Sequence, residues 1–142
     1  MRISDVLRGK GSNVATVDPA LSVSGLVAEL ARHNVGAMVV VANGEVVGIV
    51  SERDVVRQLH ERGADLLDAR VSDIMTSSVY TCLPTDSVDS LAATMTERRI
   101  RHMPVVVDGS LVGIVNIGDV VKSRIGELQT EREQLQSYIA QG

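Results

Sequence analysis

Two stretches of the chain decide its fold: GIVSERDVV at residues 48–56 and GIVNIGDVV at residues 113–121. The second lies 65 residues after the first, and the same shift aligns the sequence around both stretches without a gap. Between residues 16 and 57, about 17 of the 42 aligned positions are identical. Neither chance nor low complexity produces a match of this length. The chain therefore contains one structural unit twice.

The two copies differ in length near their start. Residues 2–6 resemble residues 70–74 at a shift of 68 rather than 65, so the first copy carries three additional residues. These residues fall around Gly9-Lys10-Gly11, which we interpret as a flexible insertion. The pattern of a phosphate-binding loop is not met, because residue 14 is Val and no strand precedes the glycines.

The duplication divides the chain into three parts. We predict one repeat over residues 1–62, a second over residues 70–124, and a C-terminal helical extension over residues 125–142. The linker between the repeats contains Gly63 and little else that would order it. A half of about 60 residues buries too little apolar surface to be stable alone, so we expect the two repeats to pack together.

Each copy has the same local pattern of elements. A short extended piece precedes a helix whose apolar side chains recur at every third or fourth position. Two apolar runs follow, joined by Asn43-Gly44 in the first copy and by Asp108-Gly109 in the second, and such dipeptides favour tight hairpins. A second helix begins at Ser51 or Asn116. The predicted fold class is α/β (α+β), with two β-α-β-β-α repeats packed sheet against sheet around a pseudo-two-fold axis.

The composition excludes several classes of protein. The chain has 142 residues, a net charge of −4 and an aromatic content of 1%. Stacking of single-stranded bases on aromatic rings is nearly excluded, and we expect no broad basic surface for nucleic acid or anionic lipid. The longest apolar stretch, residues 35–42, is far shorter than the roughly 20 residues that span a bilayer. We therefore expect a cytoplasmic protein in which the single cysteine, Cys82, fills a small apolar space.

The C-terminal extension has a narrow apolar stripe. Its members follow helical spacing: Val121, Ile125, Leu128, Leu135 and Ile139. Arg132 occupies the position at which the stripe is interrupted. Two interpretations stay open. The extension either packs back on its own module, or it continues the last helix of the second repeat towards a partner subunit.

The two motifs, together with RHMPVV at residues 101–106, resemble a tandem cystathionine-β-synthase (CBS) domain pair, also called a Bateman module. The resemblance covers nearly the whole chain, from about residue 1 to residue 122. It implies clefts between the two repeats that bind adenosine compounds such as AMP, ADP, ATP, NAD(H) or S-adenosylmethionine. Such modules usually act as regulatory sensors.

Ser51 and Asp54, like their counterparts Asn116 and Asp119, allow two interpretations. A Ser or Asn at a helix start followed by Asp three residues later resembles a capping box. The family resemblance implies in addition that these side chains face a cleft, where the Asp accepts hydrogen bonds from ribose hydroxyls. The two roles are compatible, and the recurrence of Asp in both copies favours the combined role. Asn116 departs from the Ser or Thr that is usual in the family.

The two copies differ most where a phosphate would bind. Arg101 and His102 stand where the first copy has Gly and Ala, and the resemblance implies that basic residues here contact ligand phosphates. Arg53, where the second copy has Gly, is a further candidate. We therefore expect unequal half-sites, with the second copy better equipped for an anion. We interpret Arg98 and Arg99, by contrast, as solvated cations at a helix end.

Four further residues complete the set of candidate ligand contacts. Thr16 and Thr81 are predicted to close the first strand of each copy. They are either β-branched residues that simply suit a strand end, or, as the resemblance implies, residues whose backbone contacts the adenine edge and whose hydroxyl faces the ligand. Met103 and Pro104 belong to the motif that follows Arg101. We expect adenine to lie between aliphatic side chains, with no aromatic ring to stack on.

The residues and the resemblance together predict a regulatory module that binds an adenine nucleotide and signals to an unidentified partner protein. No cofactor or metal is expected to be required. We expect a homodimer in which helices of both repeats meet and the C-terminal helix contributes. The alternative is a dimerisation or scaffold module whose cleft stays empty. An enzyme is less favoured, because no Ser or Cys has an evident base and orienting group nearby in the sequence.

Overall fold

The computed structural model describes residues 1–11 and 13–141. It has mixed α/β structure with two small sheets, as predicted. The elements are α1 Ile3–Lys10, β1 Thr16–Val17, α2 Val23–His33, β2 Ala37–Ala42, β3 Glu45–Ser51, α3 Glu52–Arg62, a 3₁₀ helix at Gly63–Asp68, α4 Val71–Ile74, α5 Val88–Arg98, β4 His102–Val107, β5 Ser110–Asn116 and α6 Ile117–Gln141.

Each sheet is built around one antiparallel hairpin. Strands β2 and β3 form the first hairpin and β4 and β5 form the second, while β1 adds to β2 in parallel. The turn residues Asn43 and Gly44 have φ angles of 52° and 79°, and Asp108 and Gly109 have 50° and 79°. These positive angles belong to the turn type that matches the twist of a hairpin. Both predicted hairpins are therefore confirmed.

The start of each repeat differs from the predicted β-α-β-β-α pattern. Thr16 begins β1 rather than ending a strand. In the second repeat the corresponding strand is reduced to a single bridge between Cys82 and Val105. Each half also begins with a helix that the pattern did not contain, α1 in the first and α4 in the second.

The leading helices are exchanged between the two halves. Ile3 of α1 is fully buried in the hydrophobic core of the second repeat. Val71 and Ile74 of α4 are buried in the core of the first repeat. Each core is thus completed by a helix from the other half, and neither repeat encloses its core with its own residues alone.

Two reciprocal contacts show the pseudo-two-fold relation. Arg2 pairs with Ser87, and Ser22 pairs with Arg70. Arg2 corresponds to Arg70 and Ser22 to Ser87 in the aligned repeats. The two bridges are therefore the same contact made in opposite directions, as a two-fold axis between the repeats requires.

The glycine that opens each motif allows this exchange. A Cβ on Gly48 would lie 2.5 Å from Sδ of Met75, and a Cβ on Gly113 would lie 2.6 Å from Cδ2 of Leu7. Leu7 belongs to α1, and Met75 follows α4 directly. The side chains at the ends of the exchanged helices occupy the space that a larger residue in the motif would need.

Two segments predicted to have little order are structured. The linker forms the 3₁₀ helix Gly63–Asp68, and Leu66 within it is completely buried in the first core. Gly9 and Lys10 form the last turn of α1, which ends at Gly11 with a φ of 93°. The prediction of a flexible insertion at residues 9–11 is therefore wrong for the helical part, because packing of α1 on the second repeat orders it.

The C-terminal extension continues the last helix of the second repeat. Helix α6 runs without interruption over 25 residues. Leu128, Leu135 and Ile139 are 53%, 61% and 67% exposed, so the extension does not pack back on its own module. Its contact with a partner subunit stays a prediction. No helix in the described part of the chain combines the length and apolarity needed to cross a membrane.

Candidate ligand-binding cleft

A cleft of about 340 Å³ lies between the two halves of the chain. The first half contributes residues 49–54 and Arg57, at the junction of β3 and α3. The second half contributes Thr76 and residues 78–80, which follow α4, and residues 99–102, which lead into β4. The cleft is therefore formed by both repeats, although its helix N-terminus comes from the first.

Ser51 and Asp54 form a complete capping box at the start of α3. Oδ2 of Asp54 accepts hydrogen bonds from the backbone N–H of Ser51 at 2.9 Å and from its hydroxyl at 3.0 Å. Oγ of Ser51 accepts the N–H of Asp54 at 3.2 Å. Within the described residues, Oδ1 of Asp54 accepts no hydrogen bond. The residues of the cap also line the cleft. Because the cap uses only Oδ2 of Asp54, Oδ1 can accept a hydrogen bond from a ligand.

Arg101 and His102 line this same cleft, beside Ser51 and Asp54. The sequence suggested that these two basic residues equip the second copy for an anion. The structure places them between the two motifs: both line the cleft with Ser51, while His102 pairs with Asn116 in the β4–β5 hairpin and the carbonyl oxygen of Arg101 accepts the N–H of Ile117. The physical reason is the pseudo-two-fold packing, which brings the start of β4 against the start of α3.

Four arginines and two carboxylates surround the cleft. The cations are Arg53, Arg57, Arg99 and Arg101, and the anions are Glu52 and Asp54. The N-terminus of α3 adds the positive end of a helix dipole. The cleft is thus suited to an anionic group, with planar guanidinium donors that match phosphate oxygens.

Arg99 lines the cleft, although the sequence pattern predicts a solvated cation at this helix end. It ends α5 in a left-handed conformation with a φ of 56°, and its counterpart Asn34 ends α2 with a φ of 53°. Asn tolerates this conformation well, whereas Arg adopts it rarely. Arg99 thus disfavours the left-handed conformation at a position where the other copy has Asn, which tolerates it. Such a difference between the copies indicates a functional role and can be read from the sequence.

Tyr80 also lines the cleft, contrary to the expectation that no aromatic ring is available. Its side chain is 44% exposed, and the guanidinium of Arg98 lies 5.1 Å from the centroid of its ring. Arg98 is therefore engaged in a cation–π contact rather than simply solvated. The position of Tyr80, directly before the candidate Thr81, could have indicated its role.

The pKa of His102 is lowered from its ordinary value. Burial is the main cause, and the positive charges of Lys10 and Arg101 add to it. The carboxylates of Glu52 and Asp119 act in the opposite direction. Without ligand, the imidazole is therefore mostly neutral at pH 7 and offers a neutral N–H donor to the cleft.

The remaining candidates lie outside the cleft. Met103 is 2% exposed and belongs to the second core, and Pro104 is buried beside it, where its carbonyl accepts the N–H of Cys82. Met103 and Pro104 are kept out of the cleft because both are buried, and not because of the alternation of side chains along β4. Thr16 and Thr81 are exposed and do not line the cleft.

Cys82 is 6% exposed and packs in the second core, as predicted. Burial, with a smaller contribution from Asp86, raises the pKa of its thiol to about 12. The thiol therefore stays protonated and unreactive at neutral pH. Within residues 1–11 and 13–141, His, Cys, Asp and Glu side chains form no cluster of three that could hold a metal ion.

The second motif repeats the capping box and adds a cation at its carboxylate. Oδ2 of Asp119 accepts the N–H of Asn116 at 2.9 Å, and Oδ1 of Asn116 accepts the N–H of Asp119 at 2.9 Å. The same Oδ2 also accepts a hydrogen bond from Nζ of Lys10 at 2.6 Å. The carboxylate of Asp119 therefore has a cationic partner that Asp54 does not have in the described part of the chain, and the predicted inequality of the two half-sites stays a prediction.

The duplicated unit defines a tandem pair of α/β domains with a cleft between them. Comparison with known proteins identifies the family. The model of the CBS domain matches residues 3–61 and residues 71–126. The chain belongs to the CBS-domain family and contains two CBS domains in tandem.

Individual relatives agree with this assignment. The mitochondrial CBS domain-containing protein CBSX3 of Arabidopsis thaliana is 38% identical over 151 residues, which cover 99% of this chain and 72% of the relative. The crystal structure of the CBS-domain protein ATU1752 of Agrobacterium tumefaciens superposes with a TM-score of 0.85 at 42% identity, covering 87% of this chain and 99% of that one.

A third relative was solved with ligands. The CBS domain pair of protein MJ0100, in complex with 5′-methylthioadenosine and S-adenosylmethionine, has a TM-score of 0.76 at 26% identity, and the match covers 86% of this chain and 98% of that one. Because one relative is named as mitochondrial, the cytoplasmic location of this chain stays a prediction.

Proposed function

We propose that this chain is a regulatory module that binds an adenine nucleotide in the cleft between its two CBS domains. The observation that carries the proposal is the convergence of Asp54, Tyr80 and four arginines on one cleft. The free oxygen of Asp54 suits a ribose hydroxyl, and the ring of Tyr80 offers a face for a base. The related pair of MJ0100 in complex with two adenosine compounds supports the same ligand class.

The charge of the cleft favours a nucleotide with phosphates over the other adenosine compounds. Four guanidinium groups and two carboxylates line the cleft, and His102 is mostly neutral, so positive charges outnumber negative ones. A phosphate therefore gains charge-assisted hydrogen bonds, whereas the sulfonium of S-adenosylmethionine is repelled. We expect ATP and ADP to bind at least as tightly as AMP, and AMP to bind more tightly than adenosine or S-adenosylmethionine.

The proposed mechanism is a ligand-dependent preference between two arrangements of the repeats. Residues from both halves line the cleft, so a bound nucleotide stabilises the arrangement in which they converge. A partner protein that contacts both halves would then respond to occupancy. The role is regulatory rather than catalytic.

We also propose a homodimer, because matching faces of the two repeats expose apolar side chains. A groove of about 510 Å³ between α2 and α3 includes Val27, Val35 and Val56, which are 41%, 40% and 65% exposed. Val121, the counterpart of Val56, is 51% exposed on α6. Equivalent apolar stripes on both halves fit a second copy related by a two-fold axis.

Calorimetric titration with ATP, ADP, AMP, adenosine and S-adenosylmethionine tests the nucleotide proposal. Arg101→Ala should reduce the difference between AMP and adenosine by roughly 1.5–3 kcal/mol, the range for hydrogen bonds to charged groups. Arg32→Ala is the matched control, because Arg32 is exposed and lies outside the cleft. Equal affinity of the native protein for AMP and adenosine would rule out the phosphate site, and failure of all five compounds to bind would favour an empty scaffold.

A further inference from the structure

Lys10 crosses from the first repeat to the motif of the second. Its Nζ lies 2.6 Å from Oδ2 of Asp119 and donates a hydrogen bond to the carbonyl oxygen of Ile114 at 3.1 Å. The two motif residues are more than 100 positions away along the chain. The contact therefore exists only because α1 packs on the second repeat.

The first motif has no such cation at the equivalent place. Ile49 corresponds to Ile114, and its carbonyl oxygen accepts the backbone N–H of Thr76 at 2.9 Å. Across the described residues, no ammonium or guanidinium group forms an ion pair with Asp54, the counterpart of Asp119. Asp119 thus has a cationic partner at Oδ2, whereas Asp54 has none within the described residues.

The ion pair is partly protected from water. The side chain of Lys10 is 31% exposed and that of Asp119 is 18% exposed. A ribose hydroxyl offers a neutral donor, whereas the ammonium of Lys10 offers a charged one at short distance. Both donors form a charge-assisted hydrogen bond with the carboxylate, but only the ammonium adds the attraction between opposite charges, so we expect it to stay at Asp119.

The asymmetry originates in the three additional residues of the first copy. Lys10 lies among them, and the second copy has no residue that corresponds to it. Without the insertion, the chain would present two similar carboxylates. With it, the end of α1 is long enough to bring an ammonium group to Asp119.

We propose that Lys10 closes the second half-site by occupying the carboxylate of Asp119, so that the chain binds one nucleotide instead of two. This inference rests on the proposed nucleotide function.

Binding stoichiometry tests the proposal. In calorimetry or equilibrium dialysis, the native protein should bind one AMP or one adenosine per chain. Lys10→Met keeps most of the aliphatic side chain and removes the ammonium, and this variant should bind two adenosine molecules per chain. Lys10→Arg should retain one, because it keeps the charge. Arg8→Met is the control on the same helix, since Arg8 is 78% exposed and pairs only locally with Asp5.

The position of the second binding event is tested by a double variant. Adding Asp119→Asn to Lys10→Met should return the stoichiometry to one. If Lys10→Met does not fold, Lys10→Gln provides the same loss of charge with a more polar side chain. A native stoichiometry of two, or a stoichiometry of one in folded Lys10→Met and Lys10→Gln, overturns the role of Lys10. A native protein that binds neither AMP nor adenosine overturns the nucleotide function instead.

Discussion

The exchange of leading helices predicts that a substitution in one repeat destabilises the core of the other. Ile3 and Val71 occupy equivalent positions, and both are 0% exposed. Ile3→Ala should loosen the second repeat, although Ile3 belongs to the first repeat in sequence. Val71→Ala should loosen the first repeat, and the two variants therefore serve as reciprocal controls.

The magnitude follows from the atoms removed. Ile3→Ala deletes three carbons, which at about 0.8 kcal/mol each gives about 2.4 kcal/mol for loss of burial. The cavity left behind adds to this, so the total should fall within the range of about 2–5 kcal/mol seen for buried Ile-to-Ala changes. Val71→Ala deletes two carbons and should cost about 1.5–3 kcal/mol by the same reasoning.

Hydrogen exchange read segment by segment distinguishes the two variants. A local loss of about 3 kcal/mol lowers amide protection by about 100-fold in the affected core. Ile3→Ala should lose protection first in β4 and β5, and Val71→Ala first in β2 and β3. All samples are compared at one protein concentration, because a dimer would make apparent stability depend on it. If Ile3→Ala exposes β2 and β3 while β4 and β5 stay protected, the exchanged arrangement is refuted.

Three further predictions concern pH, assembly and packing. Folding lowers the pKa of His102, so the unfolded chain binds more protons than the folded one. Thermal stability should therefore fall as the pH decreases below about 6.5. His102→Gln should reduce this dependence of the melting temperature on pH in melts from pH 8 to pH 5. Deleting residues 124–142 should shift the proposed dimer towards monomer in light scattering without unfolding the module, and an unchanged dimer would show that the extension contributes nothing. Gly48→Ala should lower the free energy of unfolding by about 1–3 kcal/mol in urea titrations, since its Cβ would meet both Met75 and the carbonyl oxygen of Thr76. An unaltered urea midpoint would mean that this contact relaxes freely.

Features that depend on short-range interactions could be predicted from the order of the residues alone. A shift of 65 revealed the duplication, and the hairpins followed from Asn43-Gly44 and its counterpart because those residues adopt positive φ angles locally. The cap formed by Ser51 and Asp54 also lies within one helical turn. The start of each repeat was less predictable, since a two-residue strand and short leading helices depend on packing rather than on periodicity.

The parts of the two repeats that face one another could be identified only from the folded chain. Alignment shows that Arg101 corresponds to Gly36, but not that Arg101 lies opposite Ser51. In the same way, no periodic pattern relates Lys10 to Asp119, which are far apart in sequence and meet because α1 is exchanged. A repeat tells which residues are equivalent. The position of the two-fold axis, set by burial of Ile3 and its counterpart in opposite cores, determines which of them share a site.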